Sequence, residues 1–114
     1  MALLTPIAVP GSAATAITFA SAAAGGDTVA YKKDKVQIII IKKGAGANSD
    51  TTVTAARTSV PTGRDVAALS NMTFSVVTNT SRAILVTPAY VASTGLVSIA
   101  YSNVTNLSVA VLEL

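Results

Sequence analysis

The second half of the chain alternates. Met72 to Thr78 sets Phe74 and Val76 against Thr73 and Ser75; Leu96 to Tyr101 puts Val97, Ile99 and Tyr101 on one face; Leu107 to Leu114 does the same with Leu107, Val109 and Val111. A period of two is the period of a β-strand with one face buried. Asn79-Thr80-Ser81, Ala92-Ser93-Thr94-Gly95 and Ser102-Asn103 carry turn residues between these runs, and Ala83 to Thr87 forms a further strand that Pro88 ends or places at an edge. The alternation fails at one place, Val36-Gln37-Ile38-Ile39-Ile40-Ile41-Lys42-Lys43. Ile38 and Ile40 must point one way and Ile39 and Ile41 the other, so both faces of this strand are apolar. It is either covered on both sides, or buried on one and set against a partner with the other. The run is too short to span a bilayer.

Gly44 to Asp50 reads as a loop, and Thr51 to Ala56 as a strand that would return beside the isoleucine strand as a hairpin. Earlier in the chain, Ile17-Thr18-Phe19 and Thr28-Val29-Ala30-Tyr31 are short strands, separated by Gly25-Gly26-Asp27, and Lys32-Lys33-Asp34-Lys35 is a polar turn. Residues 58–71 stay open: Pro61-Thr62-Gly63-Arg64 suits a turn, and Asp65 can cap a short helical turn through Val66-Ala67-Ala68-Leu69. Residues 1–16 read as an extended arm, because Pro6, Pro10 and Gly11 oppose both helix and central strand. Leu3, Leu4, Ile7 and Val9 still need a surface, on the arm's own domain or on a neighbour; we expect a neighbour. The sum is an all-β chain of seven or eight strands, a sandwich or barrel, in one domain over 1–114 with the arm at 1–16 and the sandwich at 17–114.

Composition narrows the function more than the fold. Charged residues are 11% of the 114, against roughly 25% in an average domain. A surface so poor in charge is expected to be covered by something. Cysteine, histidine and tryptophan are absent, which removes disulfides, thiolate metal sites and the commonest general base. The acids Asp27, Asp34, Asp50, Asp65 and Glu113 fall in or beside turns or at the end, with no acid-pair or calcium-loop spacing. Gly44-Ala45-Gly46 follows a strand but lacks the third glycine and the helix of a dinucleotide fingerprint. No catalytic, cofactor-binding or metal-ligating residue is expected, and no small-molecule substrate. The net charge of +3 rests on five lysines between Lys32 and Lys43, read as a solvated strand end; no aromatics interleave with them, so nucleic acid is not expected. Met1 to Pro6 lacks a basic n-region, so no signal peptide is expected, nor glycans at the Asn-x-Ser/Thr matches from Asn71, Asn79, Asn103 and Asn106. The residues expected to make contacts are Leu3, Leu4, Pro6, Ile7 and Val9 of the arm, with Ile39 and Ile41 of the strand.

The opening Met1 to Pro6, the Ala23-Ala24-Gly25-Gly26-Asp27-Thr28 segment, the apolar strand running into Lys43-Gly44-Ala45-Gly46, Thr51-Thr52-Val53-Thr54 and the ending Gly95 to Val111 together resemble small structural proteins of tailed bacteriophages. These are capsid decoration, or cement, proteins and their neighbours. The resemblance spans most of the chain and leaves 58–71 unmatched. It implies a jelly-roll-like β-sandwich, usually a homotrimer, seated on the outer capsid surface where major capsid subunits meet. The implied partners are the chain itself and the phage major capsid protein, with no membrane. The implied location is the virion, after synthesis in the bacterial host cytoplasm. Two other classes remain: another virion module, such as a tail-tube, head–tail joining or fibre-base protein, and a ligand-binding β-sandwich.

Overall fold

The structure, a computed structural model, describes residues 2–45, 50–57, 60–62, 65–67, 71–92 and 94–114, with 60–62 and 65–67 described by their backbone alone. The strands are β1 (Ala2–Leu3), β2 (Ile7–Ala8), β3 (Ala20–Ser21), β4 (Asp27–Ala30), β5 (Gln37–Lys43), β6 (Thr51–Ala55), β7 (Val60–Thr62), β8 (Asp65–Ala67), β9 (Met72–Val76), β10 (Thr80–Leu85), β11 (Leu96–Tyr101) and β12 (Leu107–Glu113). A 3-10 turn, Pro88–Tyr90, follows β10, with the proline at its start where a missing N–H costs nothing. Seven of the strands have four or more residues, as the alternation predicts. The additional ones are two- or three-residue pairings.

One sheet runs β1-β4-β11-β6-β9 and the other β10-β5-β12-β2, with β3 also on β12; β7 and β8 form a separate antiparallel pair. The two large sheets close on each other as an all-β sandwich. Val29, Val53, Val76, Val97 and Ile99 come inward from the first sheet, and Ile39, Ile41, Ile84, Val109 and Val111 from the second. All are branched, which suits a pleated surface and packs without polar atoms.

The structure corrects several expectations. β6 does not return beside β5. It pairs with β11 and β9 in the other sheet, because β10 and β12 already occupy both edges of β5. β5 and β6 therefore lie in different sheets, whose faces stand about 10 Å apart. Asp65 begins β8 rather than capping a helix, with Val66 and Ala67 paired to Pro61 and Val60; Ala68 and Leu69 lie outside the described residues. Ile17 to Phe19 is not a strand, and the short pairing falls at Ala20–Ser21 instead. Thr80 and Ser81 belong to β10, not to a turn, and the reversal is made by Asn79 at φ 63°.

The arm is built into both sheets. β1 pairs in parallel with β4, and β2 in parallel with β12. Backbone N–H groups of Leu4 and Val9 donate to the carbonyls of Thr28 and Glu113, at 2.8 and 2.9 Å. Pro6 falls in the bend between the two strands, where no ladder bond is needed. Residues 2–9 are thus spent on the chain's own sheet edges, not on a neighbour as expected. Those edges otherwise present unpaired N–H and C=O groups, and an arm on the same chain reaches them without the entropy of association.

Candidate interaction surface

The register of β5 decides what each isoleucine can touch. Ile39 and Ile41 are 0% exposed and stand beside Val111 and Val109 inside the sandwich. They are core residues, and the expectation that they meet a partner is corrected. Ile38 and Ile40, half-buried, are the outward pair. Sequence alone could not tell which of two apolar faces is the inner one, since all four side chains are identical.

Neighbouring strands extend that outward pair into a surface. Registered residues share a face. Leu85, Ile38, Leu112 and Ile7 form one row across β10, β5, β12 and β2, and Ala83, Ile40 and Ala110 form the next. Val36 and Leu114 exchange backbone hydrogen bonds at 2.8 and 3.4 Å beyond the end of the ladder, adding a third apolar pair. Leu85 is 57% exposed, Leu114 51% and Val36 50%, so a large aliphatic area stands in water. Its first charge appears in the following row, where Lys42 lies between Ser81 and Ser108. The Lys42 ammonium stands 5.5 Å from the ring centre of Phe19.

Of the arm residues expected to make contacts, Ile7 joins this surface. Leu3 is exposed beside Thr28 on the outside of the opposite sheet. Leu4 packs partly against the core, and Pro6 and Val9 are half-buried. The arm therefore does not form one patch. Leu85, Leu112, Val36 and Leu114 were not singled out from the sequence. The alternation marked Leu112 and Leu114 as the face opposite Val109 and Val111, but only cross-strand register shows that they gather.

The lysines divide as well. Lys32, Lys33, Lys35 and Lys42 are exposed, and Lys32 pairs with Glu113 at 3.1 Å. Lys43 is 0% exposed, which corrects its reading as part of a solvated strand end. Its ammonium donates to Thr51 Oγ1 at 2.7 Å, to the Thr105 carbonyl at 3.1 Å and to Asn103 Oδ1 at 3.2 Å. Three donors meet three acceptors, which is what burying an ammonium demands. This knot ties the start of β6 to the segment before β12. At the other sheet, Asp27 is buried and its Oδ2 accepts from Tyr101 at 2.7 Å. Burial, then this hydrogen bond and the carboxylate charge, hold the Tyr101 hydroxyl far above the usual tyrosine range.

Among the described residues no group of three or more acids could hold a metal ion, and no helix is long and apolar enough to cross a membrane. What fold and surface define is a β-sandwich with one aliphatic outer face, the other sheet turning Thr28, Ser98, Thr52, Thr54, Thr73 and Ser75 outward. Comparison with protein-family models, with curated proteins and with solved structures returned no match.

Proposed function

We propose that this chain is a structural virion protein, a cement or decoration protein that self-associates as a homotrimer and binds the outside of a phage head where major capsid subunits meet. The observation that carries the reading is the aliphatic outer face of the β10-β5-β12-β2 sheet, with Val36, Leu85 and Leu114 each at least half exposed. A face of that kind gains about 25 cal/mol per Å² when covered, before the cost of association. Obligate interfaces are larger and more apolar than transient ones, and a sheet held in register is a rigid template for one. The sequence resemblance to phage structural proteins supplies the setting. A protein that binds only the assembled shell stabilises it by mass action and needs no chemistry of its own.

Co-sedimentation with emptied heads of the parent phage tests the reading. The expected result is saturable binding to assembled heads, little binding to unassembled capsid subunits, and a higher temperature of head disruption. Heads that neither retain the protein nor gain stability would overturn it.

A further inference from the structure

The arm adds strands to the sheet edges on one side of the sandwich, β1 on β4 and β2 with β3 on β12. On the other side the two sheets end in β9 and β10, and among the described residues nothing pairs with their outer edges. Natural sheets commonly blunt such an edge with a very short strand, a proline or a bulge. β10 uses none of these: it has six residues in unbroken register with β5 and no proline.

The ladder says which of its backbone groups are free. The Val86 N–H continues the pairing by donating to the Gln37 carbonyl at 2.9 Å. Antiparallel pairs alternate, so Ile84 and Arg82 also turn their backbone groups to β5. Ser81, Ala83 and Leu85 turn theirs away, which leaves a row of donors and acceptors for a further strand. Beside that row, a cavity of about 430 Å³ lies between the two edges, lined by Met72 and Phe74 of β9 and by Ser81, Arg82 and Ala83 of β10. Met72 and Phe74 are half-buried and apolar. Arg82 is exposed, stands 5.7 Å from the ring centre of Phe74 and has no carboxylate partner among the described residues. A second copy of β10, paired here about a two-fold axis, would bring a second Arg82 to the same side, where like charges repel. A foreign strand with an acid meets the cation instead.

We propose that the free edge of β10 takes up an extended segment of another protein as an added strand, with a carboxylate of that segment on Arg82 and an apolar side chain two residues away over Met72 and Phe74. Main-chain hydrogen bonds to Ser81, Ala83 and Leu85 hold the strand, and the alternate side chains select it. The proposal does not depend on the cement reading, because it uses an edge and the inner side of the sheet, not the aliphatic outer face.

Titration of the ¹⁵N-labelled protein with the end-blocked peptide Thr-Val-Thr-Glu-Thr-Val-Thr, whose pattern reads alike in both directions, tests it. Saturable shifts are expected in residues 72–76 and 80–86, with slower hydrogen exchange at the amides of Ser81, Ala83 and Leu85. Ala83→Pro removes an edge N–H that β5 does not use and should abolish binding. If that variant does not fold, the same peptide N-methylated at its central three residues decides the matter, and it should not bind. Arg82→Gln should weaken binding by about fivefold, the upper end for an exposed ion pair, and a peptide with Gln for Glu should lose no more on that variant. Absence of saturable shifts, equal binding of the N-methylated peptide, or unchanged affinity in folded Ala83→Pro would overturn the proposal. Concentration-dependent protection of the same amides without peptide would give the edge to a second copy and overturn it as well.

Discussion

Ile40 on β5 and Thr54 on β6 stand in equivalent places, each half-buried on the outward side of a strand that is hydrogen-bonded along both edges. Around Ile40 lie Ala83 and Ala110, with Leu85, Ile38 and Leu112 in the next row. Thr54 instead has Thr73 and Ala100 beside it, and Thr52 and Ser75 in the next row. Both residue types are β-branched and both fit the pleat. They differ in what they want outside. A threonine hydroxyl keeps its hydrogen bonds to water, while an isoleucine in the same place only loses by staying wet. Two sheets with similar inner faces thus have opposite preferences on their outer ones, and the proposed assembly uses the second sheet.

The comparison can be broken first at the core. Ile41→Asp places a carboxylate opposite Val109 in a dry interior, and we expect a loss of about 4 kcal/mol or more, seen as an unfolded circular dichroism spectrum. Ile38→Asp, one face away, should stay folded and lose about 3 kcal/mol of self-association, read by sedimentation velocity. Its control is Thr54→Asp on the other sheet, for which neither stability nor mass should change appreciably. Equal losses of assembly from the two would erase the distinction between the faces.

Stability and assembly can then be separated within the first sheet. Gly26 has φ 95°, and a Cβ there would stand 2.6 Å from the Ile99 carbonyl oxygen of β11. Gly26→Ala should cost about 2 kcal/mol in urea unfolding while leaving the assembled mass intact. A smaller effect is expected in alkali. The Tyr101 hydroxyl is held neutral in the folded chain but ionises near pH 10 when unfolded, so its contribution is fully present below that pH and declines above it. Urea midpoints at pH 8 and pH 10.5 should fall more steeply for the wild type than for Tyr101→Phe.

Most of this fold could be read from alternation. Leu96 to Tyr101 was bounded residue for residue, and β5, β6 and β12 to within one residue at an end, because alternating branched residues are a local signal. Pairing was not local. Nothing in Thr51 to Ala55 says that its partners are β9 and β11 rather than the strand just before it. The arm misled for a related reason. Its prolines argued against a strand, yet two short strands flank Pro6 and leave it in the gap. Lys43 was hidden because two of its three acceptors, on Asn103 and Thr105, lie 60 and 62 residues further along the chain. The interaction surface was half visible: two-sided apolarity in β5 announced an outward aliphatic stripe, but identical isoleucines could not say which pair formed it.

Sedimentation equilibrium of the purified chain at micromolar concentration tests the central claim most directly. The account predicts a mass of three chains, reduced by Ile38→Asp and unchanged by Thr54→Asp. A wild-type mass of one chain, with the aliphatic face stable in water, would contradict it.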